Sequence, residues 1–372
     1  MRFIDDKKGW PAFRWDDREV LQALVDTRHR QGLLLGRMAG LGFDLRAEAA
    51  LRVLTSDVVG SAAIEGERLD AALVRSSIAR RLGLPQAGVR RVPRDVDGIV
   101  EMMLDATRHA TAPVTPARLY GWHAALFPVG HSGTSPIAVG CWRPVEAGPM
   151  QVVSGPIGRE RVHFEAPAAG RVPLEMERFL EWCNGLPRVD PVLGAAVAHL
   201  WFVTIHPFED GNGRIARALA DLMLSRADSC GERFYSMSTQ IEAERKDYYR
   251  ILEQVQRGDL DITPWLVWFL GCLGRAIAGA GTLVDGVLHK AEVWRSLAAG
   301  PPVNDRERLV INRLLDGFEG HLSSAKYARM ANCSTDTALR DIQDLVARGI
   351  LVRNAAGGRS TSYRLVDKSV GQ

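Results

Sequence analysis

The chain has 372 residues, 46% hydrophobic and 24% charged, with 47 basic and 44 acidic side chains. That composition excludes a disordered, collagenous or rod-like coiled-coil protein, and at ~150 residues per domain the length accommodates two or three domains. A net charge of only +3 argues against a dominant polyanion-binding surface while leaving a local one open.

The residues from Met1 to Lys8 carry no apolar run, so no secretory signal is expected there. The most apolar stretch, Pro264 to Leu273, is followed by Arg275 and falls short of the roughly 20 apolar residues of a membrane-spanning helix. It reads as a buried helix, with no membrane partner. Cys141, Cys183, Cys230, Cys272 and Cys333 are scattered and form no C-x-x-C pair, which points away from zinc and disulfides and toward a cytoplasmic location.

Helical signals open the chain. Asp16 and Asp17 can cap a first helix that breaks near Gly40-Leu41-Gly42. A second runs over Ala47 to Ile64, and Asp70 caps a third that Gly83 and Pro85 end. Pro85 to Pro93 reads as a loop, and Asp95 to His109 as a helix. Pro113 and Pro116 introduce a segment with Trp122 and His123, and a Gly/Pro-rich region then runs from Phe127 to Gly170. Within it, Met150 to Val153 and Arg161 to Phe164 are β-prone runs around Ser154-Gly155-Pro156-Ile157-Gly158, the pattern of a hairpin with a long loop. Helices are expected from Pro173 to near Asn184, from Asp190-Pro191 to near His206, and over Gly213 to Arg226, Ala243 to Gln256 and Thr263 to Leu273. After a Gly300-Pro301-Pro302 linker, helices at Arg306 to Phe318, Ser324 to Ala331 and Ser334 to Arg348 precede strands at Ile350 to Arg353 and Ser362 to Leu365. Three helices and a two-stranded ribbon spell a winged helix.

The stretch from His206 to Arg217, HPFEDGNGRIAR, lies between two strongly apolar helices. Gly211 and Gly213 leave backbone N–H groups open at a helix start, where free donors and the helix dipole attract anions. Arg214 and Arg217 sit three apart in that first turn and can reach one polyanion. Asp210 is a hard oxygen ligand suited to Mg²⁺ beside phosphate oxygens, and His206 can accept a proton at the same place. This is an outfit for phosphoryl or nucleotidyl transfer.

The segment resembles the signature of the Fic family, H-x-F-x-[DE]-G-N-G-R-x-x-R, at all eight specified positions. The resemblance implies transfer of AMP from ATP to a Ser, Thr or Tyr hydroxyl of a protein. His206 would deprotonate the target hydroxyl and Asp210 would hold Mg²⁺. Gly211, Asn212 and Gly213 would bind the α- and β-phosphates, Arg214 the β-phosphate and Arg217 the γ-phosphate, with Phe208 as the buried anchor of the loop. The Gln151 to Phe164 hairpin corresponds to the family's flap, whose edge receives the target segment, and nucleotide contacts would fall at Val152, Val153, Ser154 and Gly155. Tyr248-Tyr249 begins a helix that passes the adenine in the family, with Gln256 two turns on. Two aromatic core residues are the other reading of that pair. His123, His163 and His199 read as packing or surface histidines.

Leu51, Leu54, Val58, Ala62 and Glu65 share one helix face, and Ser61 is four before Glu65. A carboxylate on an apolar stripe needs a partner. Ser61-Ala62-Ala63-Ile64-Glu65-Gly66 resembles the family's inhibitory motif, which implies that Glu65 pairs with Arg217 and occupies the γ-phosphate position. The same glutamate could instead orient water for removal of AMP.

Residues 301–372 carry 11 basic and 8 acidic side chains, an excess of three. The candidate recognition helix holds Asp336, Asp341 and Asp344 against Arg340 and Arg348, and an acidic helix opposes phosphate. Arg353, Arg359 and Arg364 flank the wing. DNA binding and protein docking through residues 301–372 both stay open, as does a homo-oligomer. The expected fold is mainly α, a Fic-type helical bundle with a β-hairpin flap and a C-terminal winged-helix module. The expected parts are an N-terminal helical domain with the inhibitory motif (1–95), a catalytic core (96–280), and a linker helix with the winged helix (281–372). The expected function is an auto-inhibited protein adenylyltransferase with ATP as substrate, acting on another protein or on itself. A DNA-binding regulator with a self-modifying core, and a de-AMPylase using the same site, are the alternatives.

Overall fold

The computed structural model describes residues 3–84, 92–155, 159, 161–185, 189–230, 232–298, 300–315, 318, 320–354 and 361–366. Residues 85–91 of the loop expected at Pro85 to Pro93, the hairpin tip at 156–158 and the ribbon turn at 355–360, Arg359 included, lie outside them. The chain divides into two compact units, Met1–Gly281 and Thr282–Gln372.

The first unit is mainly helical, because its aspartates and prolines start helices where local chemistry favours them. Asp16 accepts from the Arg18 N–H and opens α1 (Asp17–Ala39), and helix α2 spans Phe43–Ile64, starting a turn before the expected Ala47. Asp70 accepts from the Ala72 N–H and opens α3 (Ala71–Arg81). Then come α4 (Arg94–Arg108) and α5 (Pro116–Leu126), the latter capped by Thr115. The Gly/Pro-rich region holds a two-residue pair that the sequence pattern does not reveal, β1 (His131–Ser132) with β2 (Ser135–Pro136), and the expected hairpin of β3 (Gln151–Ser154) with β4 (Arg161–Glu165). Helix α6 covers Val172–Asn184.

Helices α7 (Pro191–Ile205) and α8 (Asn212–Asp228) pack along one another and carry the motif between them. Every residue from Val192 to Ile205 is buried, which explains why α7 shows no polar face. The single helix expected over Ala243 to Gln256 begins earlier and is broken. Ser236 caps a short α9 (Met237–Ala243), and α10 (Arg245–Gln256) follows. The α2 helix packs on α9, and Asp57 Oδ1 ties them by accepting from Ser236 Oγ at 2.5 Å and the Ser238 N–H at 3.0 Å.

Helix α11 does not stop at Leu273 but runs over Thr263–Ala298. By length and composition alone it could cross a membrane, yet 53% of its most apolar window is buried inside the protein, as in a core helix. Trp265, Leu266, Phe269 and Leu270 are fully buried, and Trp265 Nε1 donates to the Ala196 carbonyl of α7.

The second unit contains α12 (Asp305–Leu315), α13 (Ser324–Met330), α14 (Thr335–Ala347) and the antiparallel pair β5 (Leu351–Arg353) with β6 (Tyr363–Leu365). Val310, Leu322, Tyr327, Ile342, Leu345 and Leu351 form its core. Asp341 belongs to that interior and not to an acidic outer face: it accepts from Arg306 Nε at 2.9 Å and from the Tyr327 hydroxyl at 3.0 Å. Of the two remaining acids, Asp344 pairs with Arg348 at 3.1 Å, so α14 presents less free negative charge than its sequence suggests.

Candidate active site

Helix α7 ends because Pro207 disfavours helical geometry in the residue before it, and His206 takes the left-handed conformation with φ +52°. Two main-chain anchors fix it. Its N–H donates to the Phe202 carbonyl, and its carbonyl accepts from Arg143 Nε at 2.8 Å. Nδ1 lies 3.2 Å from the Val203 carbonyl, an acceptor only, so Nδ1 carries the proton and Nε2 is left as the basic nitrogen. Burial pushes the imidazole down to about 4, so it stands neutral.

The loop after it is pinned by Phe208 and Asn212. Phe208 is fully buried and its ring stacks on His123 at 4.2 Å with a 7° interplanar angle. Asn212 Oδ1 accepts from the Phe208 N–H at 2.9 Å, and Asn212 Nδ2 donates to the Phe208 carbonyl at 2.8 Å. The Asn212 side chain is therefore spent on the loop, and only its backbone N–H is left for an anion. Gly211 has φ +78°, and a Cβ there would come within 2.9 Å of the Phe127 ring. Asp210 Oδ1 accepts from the Gly211 N–H at 2.5 Å, and Oδ2 accepts from the Ser132 hydroxyl of β1.

A cavity of about 760 Å³ lies against this junction. Its lining combines His206, Asp210, Asn212 and Gly213 of the junction, residues of α10, Val152, Val153 and Ser154 of the hairpin, and Glu65. Tyr248 is buried with its hydroxyl 2.9 Å from His199 Nε2, whereas Tyr249 is partly exposed and faces the cavity, its hydroxyl reaching toward the Ile64 carbonyl at 3.4 Å. Of the two, Tyr249 has the freer ring. Gln256 lines the cavity and donates to Thr204 Oγ1 at 3.2 Å. Gly155 is not among the lining residues.

Neither arginine of the motif faces that cavity. Arg217 is 2% exposed, with Nε donating to Ser61 Oγ at 3.0 Å and Nη2 donating to the Ser61 carbonyl at 2.9 Å and to Glu65 Oε1 at 2.8 Å. The Glu65 carboxylate also lies against Gly213, where any Cβ would collide with it. Arg214 lies over the Phe127 ring, and its Nη1 donates to both carboxylate oxygens of Glu67. Two carboxylates thus sit where the backbone donors and guanidinium groups would meet a polyanion.

Sequence reasoning missed four partners. Glu67 stands two residues past Glu65 with no periodicity to mark it. Arg143 is 3% exposed, and it also donates through its backbone to the Pro207 carbonyl and through Nη2 to the Pro167 carbonyl. Ser132 sits in a two-residue strand. His163 is neither a packing nor a bare surface residue: its Nε2 is 2.6 Å from Ser154 Oγ and its Nδ1 is 2.7 Å from Glu253 Oε2. His123 and His199 are buried packing residues, as expected.

A hard divalent cation such as Mg²⁺ takes one or two carboxylates and completes its shell with phosphate and water oxygens. Asp210 lines the cavity and fits that demand. Among the described residues no group of three or more His, Cys, Asp or Glu gathers into an all-protein metal cage.

Fold and site define a mainly helical protein in which a neutral histidine stands beside an anion-attracting helix N-terminus. Residues 113–224 match the Fic/DOC family, and residues 3–84 match a domain of unknown function, DUF4172. The Fic/DOC match is confined to residues 113–224, the part of the chain that holds the 206–217 motif. It is 34% identical over 113 residues to a protein named protein adenylyltransferase Fic from Drosophila erecta, 30% of this chain and 21% of that protein. It is 34% identical over 119 residues to protein adenylyltransferase fic-1 of Caenorhabditis elegans, 32% of this chain and 22% of that protein. The match thus spans about a fifth of the length of these relatives. The crystal structure of a Fic family protein from Desulfovibrio desulfuricans G20 has the same fold, with a TM-score of 0.52 at 24% identity over 94% of this chain and 97% of that one.

Proposed function

We propose that the chain is an auto-inhibited protein adenylyltransferase that moves AMP from ATP to a hydroxyl of a protein. The observation that carries this reading is the 206–217 junction, where His206, its Nε2 left unprotonated, lines a cavity together with Asn212 and Gly213 at the start of α8. In this reading His206 takes the proton of the acceptor hydroxyl as its oxygen attacks the α-phosphorus. The N–H groups of Asn212 and Gly213 hold phosphate oxygens, and Arg214 and Arg217 neutralise the β- and γ-phosphates. Pyrophosphate leaves, and positioning with charge neutralisation supplies most of the rate. Mg²⁺ held by Asp210 would add charge neutralisation on the phosphates when bound. Val152, Val153 and Ser154 border the nucleotide, and the outer edge of the hairpin is free to take a target segment as an added strand.

The brake rests on Glu65. Its carboxylate is on Arg217 and against Gly213, so it competes for the place of the γ-phosphate, and Ser61 holds the guanidinium from the other side. ATP that enters is left to bind with its α-phosphate out of line. Because Glu65 and His206 line one cavity, the same carboxylate also fits a second reading, orienting a water for hydrolytic removal of AMP from a modified protein.

The test is radiolabelled ATP with the purified chain and a cell lysate. Glu65→Gly is expected to raise the labelling of lysate proteins and His206→Ala to abolish it. Equal labelling of the two variants overturns the proposal. A Glu65→Gly chain that labels nothing yet loses the removal of AMP from a modified protein favours the second reading.

A further inference from the structure

The hairpin register moves from Val152 opposite Phe164 to Val153 opposite Val162, so His163 is the extra residue of a β-bulge. A bulge re-aims a side chain. Here it coincides with a three-part chain of contacts. Ser154 Oγ is 2.6 Å from His163 Nε2, and His163 Nδ1 is 2.7 Å from Glu253 Oε2. A carboxylate only accepts, so Nδ1 carries the proton and Nε2 accepts from the Ser154 hydroxyl.

Glu253 is in turn held as the anion. Arg161 Nη2 approaches its other oxygen at 2.7 Å and Arg257 Nε at 3.2 Å. Burial alone would raise its carboxyl, but the hydrogen bonds from His163 and Arg161 bring it below the usual range. Hydroxyl, imidazole and ionised carboxylate in this order form the signature of an activated nucleophile. All three residues line the cavity that contains His206 and Asp210. The other hydroxyls on that lining are those of Tyr248, buried against His199, and Tyr249, aimed at the Ile64 carbonyl.

We infer that Ser154 is itself an acceptor, taking an adenylyl group from ATP bound in its own chain's cavity, with His163 as its base. The inference rests on the reading of the cavity as an ATP site. Ser154 Oγ attacks the α-phosphorus and the Oγ–P bond forms. The bond from that phosphorus to the bridging oxygen of pyrophosphate breaks, and pyrophosphate leaves with the electron pair. The Oγ proton passes to His163 Nε2, and Glu253 stabilises the imidazolium. The product is an AMP ester on the last residue of β3, at the cavity lining, which leaves its adenosine in or beside the cavity and obstructs a second ATP.

The experiment uses the full chain carrying Glu65→Gly, or Glu65→Gln should glycine destabilise α2, incubated with ATP and Mg²⁺. Intact mass and peptide fragmentation then locate the adduct. One adenylyl group on Ser154 is expected, formed at a rate independent of protein concentration. Adding His163→Gln should slow it about a hundredfold, the usual worth of a general base. An unmodified Ser154 in a chain that labels other hydroxyls or lysate proteins overturns this inference alone. A Ser154 adduct indifferent to His163→Gln overturns the relay. No adenylyl group on any protein overturns both this inference and the proposed function.

Discussion

Glu67 reaches Arg214 Nη1 with both carboxylate oxygens, at 3.0 and 3.1 Å, two residues beyond the Glu65 that holds Arg217 at 2.8 Å. The two glutamates thus engage the two arginines of one motif, but in unequal settings. The Arg217 side chain is 2% exposed and that of Glu65 32%, whereas the Glu67 side chain is 47% exposed. Water and salt screen the second pair far more than the first.

The first prediction follows from that inequality. Glu67→Gln should raise adenylyl transfer by no more than about fivefold, the worth of a solvated ion pair. Glu65→Gly should raise it tenfold or more, because it frees a buried guanidinium and clears Gly213. Salt should shrink the Glu67 effect and barely alter the Glu65 effect. Initial rates at two ionic strengths check this, and a larger effect from Glu67→Gln would place the brake on the wrong glutamate.

A second prediction concerns His206. Its φ of +52° is costly for most side chains but tolerable for asparagine. His206→Asn should therefore lose about 10²- to 10⁴-fold in rate, the share of a general base, with the Tm unchanged or raised. Labelling assays beside thermal unfolding separate the two effects. A fall in Tm alongside the lost activity would mean that the imidazole also holds the loop.

What the sequence made legible follows from where the partners lie. The motif could be read because its twelve residues are contiguous, and Asp16, Asp70 and Asp190 could be read as caps because a cap bonds within three residues of itself. Glu65 was legible through its phase on an apolar stripe. Arg143 was not, since the carbonyls it binds, at His206 and Pro167, are distant in the chain and carry no residue code. The same holds for Ser132 on Asp210 and for His163 on Glu253, 90 residues apart. The apolar run of α11 stops before Arg275, which hides the helix's length in the sequence, but the Arg275 side chain reaches Glu244 at 2.5 Å and the helix continues past it.

Arg143 carries a third prediction. Its planar fork bridges the carbonyls of His206 and Pro167, one beside the base and the other just past β4. Lysine cannot span two acceptors in that geometry. Arg143→Lys should lower kcat ten- to hundredfold, the scale of a small misplacement of a reacting group, and change KM for ATP less than twofold. Rates across ATP concentrations in the Glu65→Gly background test this. A KM effect without a kcat effect would assign Arg143 to binding instead of positioning.

The last prediction is a pH dependence isolated by one substitution. His123 is fully buried on Phe208, and burial pushes it down to about 4. The unfolded chain takes up this proton near pH 6.5. Between pH 6.5 and 4 the unfolded state therefore binds more protons at this residue than the fold does, so stability is full above 6.5 and is lost as pH falls. Asp5, which burial raises to about 6, acts with the opposite sign over much of the same window, so the total pH profile would mislead. Comparing the native chain with His123→Phe removes that overlap. At pH 7 the variant should be the less stable, having lost the 3.2 Å hydrogen bond from the Gly140 N–H to Nδ1. Below pH 6.5 it should gain on the native chain by up to about 1.4 kcal/mol per pH unit, and the order should reverse near pH 5. Denaturant titrations at pH 7, 6 and 5 measure this directly. A difference that stays constant across the three would show that His123 is already protonated in the fold, or accepts its proton there without penalty.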